Sequence, residues 1–169
     1  MHRSAYHLAQ VNIAHMRAPL ESALMAGFVA RLDDINALAD GSPGFVWRLQ
    51  TPEGDATALR PWGDDHILVN MSVWEDLETL REYVYRSAHV EVMRRRREWF
   101  ERFDGVYMAM WWVPRGHLPT VAEAKERVEH LRRHGPTEHA FTFKAPFPAP
   151  DAPQEPAEAP EIEWDACPA

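Results

Sequence analysis

Residues 66–113 read HILVNMSVWEDLETLREYVYRSAHVEVMRRRREWFERFDGVYMAMWWV. The first nine alternate apolar and polar positions and are rich in β-branched side chains, which predicts a strand over 66–74. Glu75-Asp76 then places negative charge where a helix N-terminus would carry positive partial charge, and a helix is predicted from there to about Phe103. Residues 106–113, VYMAMWWV, predict a second strand. A strand, a long amphipathic helix and another strand form half of a split β-α-β unit.

The upstream half repeats this logic. Residues 6–15 (YHLAQVNIAH) alternate as a strand, and one alternating face collects Tyr6, Gln10 and Asn12. Pro19 suits a first helical turn, and Leu20, Leu24, Phe28, Leu32 and Ile35 recur at helical spacing, so 19–39 is predicted helical. Asp40-Gly-Ser-Pro-Gly44 ends it. FVWRLQT (45–51) predicts a strand, and the Pro, Gly and Asp of 52–65 a long loop back to 66. Downstream, Thr120 and Glu123 form a capping-box pattern for a third helix that ends at Gly135-Pro136, and 140–145 (AFTFKA) predict a short last strand.

The order β-α-β-β-α-β-α-β defines an α+β fold: a ferredoxin-like antiparallel sheet with helices on one face, plus a third helix and a short C-terminal strand. The second face of such a sheet is too apolar here to meet water. Burial against a second copy, a homodimer, is the expected solution.

Composition narrows the partners. The chain has 169 residues and a net charge of −8, but the acidic excess lies in 146–169, a Pro, Ala and acid stretch expected to be a disordered tail after a domain at 1–145. The remainder is nearly neutral, and Glu91, Glu98 and Glu101 flank the Arg94–Arg97 run, which argues against nucleic acid. No stretch approaches a membrane span, no signal peptide is evident, and the one cysteine, Cys167, permits no internal disulfide. A cytoplasmic protein is expected. Ile162 and Trp164 are the large apolar residues of the tail and offer a docking point.

FVWRL (45–49), VWEDLETL (73–80), the 87–100 run from SAH to RRRREWF, WWVPRGHLPTVAEA (111–124) and HAFTF (139–143) together resemble a bacterial family of unknown function in the dimeric α+β barrel superfamily. The resemblance spans about residues 5–147 and implies the fold and the dimer. The wider superfamily includes antibiotic-biosynthesis monooxygenases without a cofactor, haem-degrading monooxygenases, haem peroxidase relatives and lactone-type isomerases, so fold alone does not choose a reaction. The haem-degrading branch uses an Asn on strand one, an aromatic on helix two and a later His. Asn12, Tyr83 and His89 stand at similar places, with Tyr for the branch's Trp and a spacing about one turn shorter.

The candidate catalytic residues are His89, Asn12 and Arg48. His89 is a general base or an axial ligand beside the buried stripe of the second helix. Asn12 and Arg48 would stabilise an anion. Tyr83, Asn70, Trp99, Trp112 and Arg96 are candidate substrate-binding residues: aromatics to stack, an amide to orient, and a guanidinium for a carboxylate or enolate. Trp111 and Trp112, being adjacent, must face opposite sides of their strand. Each of these residues also has an ordinary structural reading as core, interface or ion pair. His130 and His134 have i,i+4 spacing but no HEXXH context and are read as structural; no metal site is expected.

The expected function is a small-molecule enzyme. Its sharpest form is a cofactor-independent monooxygenase acting on a hydrophobic, oxygenated substrate. The alternatives are a haem-binding protein using His89, a non-catalytic ligand-binding homodimer, and an interaction protein that docks through its tail.

Overall fold

Alternation sorts each strand into two faces, and the two faces are buried by different parts of the chain. The computed structural model describes residues 3–153. Strands β1 (Tyr6–His15), β2 (Phe45–Arg48), β3 (Ile67–Trp74) and β4 (Met108–Pro114) form one antiparallel sheet in the order β2-β3-β1-β4. Helices α1 (Ala26–Asp40), α2 (Leu77–Arg86), α3 (His89–Arg95) and α4 (Val121–His134) cover it. The ferredoxin-like order expected from the sequence is present.

On one face, Leu8 and Met110 with Trp74 pack under Leu80 of α2, while Leu68 packs with Met16, Met25, Trp99 and Phe28 of α1. On the other, Ala9, Val11, Val73, Trp111 and Val113 are buried by Ala124, Val128 and Leu131 of α4, and by Leu49, Leu59 and Trp62 of the loop before β3. The second face is therefore not bare. α4 and the loop bury it within one chain, which removes the physical argument that a second copy must cover it.

Several local expectations are corrected. The helix expected over 75–103 breaks at Ser87, whose backbone is extended. The Ser87 hydroxyl donates to the Tyr83 carbonyl and accepts from the His89 N–H, so a side chain replaces the helical backbone bond there. α2 itself starts as expected: Asp76 accepts from the Thr79 N–H at 2.8 Å. The first helix begins at Ala26 rather than at Pro19; successive turns occupy 19–25. Thr120 caps α4, but the Glu123 side chain does not complete the box; it turns to Trp111 and His117 instead. Residues 140–145 make isolated bridges, one of them between Met110 and Phe141, rather than a strand.

The boundary at 145 falls inside a packed segment. The Trp112 indole N–H donates to the Phe147 carbonyl at 2.9 Å, and Asp151 accepts from the Ser4 hydroxyl and the Ala5 N–H. Ile162, Trp164 and Cys167 lie outside the described residues. Among the described residues no helix is long and apolar enough to cross a membrane.

Candidate functional site

Between the two apolar clusters on the α1–α2 face lies a polar strip. The register aligns Asn12 with Asn70, Gln10 with Ser72, and Arg48 with Ser72, so these side chains share one face of β1, β2 and β3. The Gln10 amide N–H groups donate to Asn70 Oδ1 at 3.0 Å and Ser72 Oγ at 2.7 Å, and the Trp74 indole N–H donates to the same Oγ at 2.9 Å. Gln10 and Ser72 are buried, whereas Asn70 is solvent-exposed. An exposed side chain on an interior strand, on the helix-bearing face, marks a gap between the helices.

α1 forms one wall of this gap. Its Phe28 joins the Trp99 cluster and its Ala39 is buried near the other end. Leu32 and Ile35 lie on the same helical face between them, half-buried and outside every core cluster. The cleft thus has a polar floor and an apolar side.

α3 follows α2 and packs against it. His89 and Val92 share its inner face by i,i+3 spacing, and Val92 packs against the Trp99 cluster. The His89 ring packs on Tyr83 with centroids 4.9 Å apart, and Tyr83 stacks on Trp74, also at 4.9 Å. His89 Nδ1 is buried without a hydrogen-bond partner among the described residues. Burial holds the His89 pKa below its usual value, opposed by the Val84 carbonyl. The ring is therefore neutral at pH 7 and keeps one lone pair. Burial, reinforced by Asp40 and opposed by Arg48, pushes the Tyr83 phenol up to about 12, so it remains a donor.

The other sequence-predicted residues fall elsewhere. Arg48 faces the strip, but its guanidinium is held by Asp40 at 2.7 and 3.3 Å and by the Gly54 carbonyl at 2.6 Å. It braces the end of α1 against β2. Arg96 is exposed and lies over the Tyr107 ring; Arg95 and Arg31 are the arginines over Trp99. Trp99 is fully buried core. Trp112 is roofed by Phe141 and Phe147. Sequence reading passed over Gln10 and Ser72 as working parts of the floor. The alternation that placed Gln10 beside Asn12 was the available signal.

His89 Nδ1 is buried and its ring is packed onto Tyr83, which leaves Nε2 as the ring nitrogen through which the histidine would act. The openings along α2 and α3, of about 230 and about 300 Å³, are lined by neither His89 nor Asn12.

Residues 7–158 match the family described as Domain of unknown function (DUF3291), and the chain belongs to that family. Among solved structures, it is similar to SnoaB, a cofactor-independent oxygenase from Streptomyces nogalater. The identity is 21%, with 69% of this chain and 100% of that one covered and a TM-score of 0.46. It is also similar to PA3566 from Pseudomonas aeruginosa (13% identity, 69% and 100% covered, TM-score 0.45). The third is NE2512, a protein of unknown function from Nitrosomonas europaea (13%, 69% and 97%, 0.42). No curated protein is detectably similar to it.

Proposed function

We propose that the cleft binds a flat, apolar, oxygenated small molecule and that the protein is a cofactor-independent oxygenase. The observation that supports this reading is Asn70, open to solvent on an interior strand beneath the helices and aligned with Asn12. Two amides on the floor suit substrate oxygens, and Leu32 and Ile35 suit the ring.

His89, neutral and desolvated, is the base. It takes a proton from an acidic methylene of the substrate, and the amide N–H groups of Asn12 and Asn70 stabilise the resulting enolate. The carbanion passes one electron to dioxygen, and the radical pair joins as a peroxide anion. As the O–O bond breaks, the second C–H hydrogen leaves with the outer oxygen as hydroxide, and the ketone remains. The methylene becomes a carbonyl, one oxygen atom enters the product, the other leaves as water, and the proton on His89 returns to the departing oxygen. Arg48, tied to Asp40, positions α1 rather than touching substrate.

Oxygen-electrode measurements with a panel of phenolic and polyketide-like aromatic compounds test the proposal. Uptake with at least one compound is expected, reduced about a hundredfold in His89→Ala. The Asn70→Ala variant should lose turnover while keeping its melting temperature. Absence of uptake across the panel overturns the oxygenase reading; a ligand-induced rise in melting temperature without uptake would leave a binding protein. Haemin titration should show no Soret shift that depends on His89.

A further inference from the structure

A second cluster lies on α4, on the opposite face of the sheet from the cleft. Glu126 and His130 are one turn apart on the helix. His139 arrives from the following turn, which is closed by the Thr137–Ala140 bridge. One ligand atom from each of Glu126, His130 and His139 lies within 4.8 Å of the others. His139 Nε2 is 2.9 Å from both carboxylate oxygens of Glu126.

We propose that Glu126, His130 and His139 form a binding site for a divalent transition ion of the zinc class. Two imidazoles and a carboxylate are a borderline-to-hard donor set that favours zinc, nickel or copper over magnesium or calcium. Ligand atoms about 2 Å from such an ion stand about 3.3 Å from one another in tetrahedral geometry. The Glu126–His139 pair is already near that spacing, and His130 reaches it by a small side-chain rotation. Water would complete the shell.

The hydrogen bonds already present define how an ion enters. Arg127 Nη1 donates to His139 Nδ1 and to the His139 carbonyl, so the ring proton sits on Nε2 and is given to Glu126. The ion takes the place of that proton. Nδ1 then carries the ring proton, so Arg127 Nη1 turns away from Nδ1 and keeps only its bond to the carbonyl oxygen. His130 gives up its contact with the Thr137 hydroxyl. The consequence is a clasp that ties the 137–140 turn, and with it the segment that roofs Trp112, to α4.

The test is titration of the untagged full chain with zinc by calorimetry and with cobalt by visible absorption. One saturable site with a cobalt d–d band is expected, and zinc should raise the melting temperature. His130→Ala and His139→Ala should each weaken binding by more than the about tenfold that loss of an outer contact costs. Glu126→Gln, an exposed change that the fold tolerates, should weaken it as well, whereas His134→Ala should not. No saturable binding overturns the proposal. So does binding that survives both His130 and His139 substitutions, or binding that depends on His134.

Discussion

The imidazole of His89 lies on the phenol of Tyr83, ring centroids 4.9 Å apart at 39°, with Nδ1 buried and unpartnered. Burial lowers the pKa of the histidine, opposed by the Val84 backbone. The unfolded side chain titrates near 6.5 and the folded one below it. Above pH 6.5 neither state is charged and stability is complete. As pH falls, the unfolded chain takes up the proton first, and stability drops until the folded pKa is passed. Urea denaturation from about pH 8 to about pH 5.5 should show this loss, and His89→Gln should flatten part of it. His7, lowered by burial and then by Arg115, adds a slope of the same sign that the variant leaves in place.

Ser72 is the common acceptor for two buried donors, the Gln10 amide and the Trp74 indole. Ser72→Ala strands the Trp74 indole, leaves the Gln10 amide with Asn70 alone, and should cost about 2 kcal/mol in urea unfolding. It should also loosen Asn70, which Gln10 holds. A ligand that orders the floor should therefore bind more weakly to this variant.

Gly44 stands at φ +77, and a Cβ there would clash with the side-chain atoms of Thr79. Gly44→Ala combines left-handed backbone strain with a clash against the first turn of α2. A loss of about 3 kcal/mol in unfolding free energy is expected. Little loss would mean that α2 shifts readily, and the cleft opposite α1 would then be adjustable.

Ending the chain at 145 removes Phe147 from Phe141 and Trp112, and Asp151 from Ser4 and Ala5. The shortened protein should be about 2 kcal/mol less stable than one ending at 153, from lost apolar burial and a stranded indole N–H. Equal melting curves for the two would show that 146–153 adds nothing to the body.

Glu123 shows how strongly tertiary contacts redirect a local motif. Burial alone would raise its carboxyl pKa, but hydrogen bonds from His117 and the Trp111 indole outweigh this and lower it. Its contribution is present at neutral pH and lost as pH falls through the lowered value. Glu123→Ala should cost about 2 kcal/mol at pH 7, and the deficit should shrink in acid, as thermal melts would record.

Period and punctuation in the sequence determined the element order. Alternation over 67–74 and 108–114, the Asp76 and Thr120 caps and the Gly44 stop are local features, set by backbone geometry and near-neighbour hydrogen bonds. They were enough for the α+β fold, and they put Asn12 and Asn70 opposite each other on paired strands. Neighbours across elements were decided only by packing. Asp40 takes Arg48, Arg95 rather than Arg96 covers Trp99, α4 buries the face expected to be bare, and His139 comes to lie against Glu126 and His130. A one-dimensional pattern specifies which way a side chain points along its own element. Whether that direction meets water, a partner or a second ligand depends on where another part of the chain comes to rest.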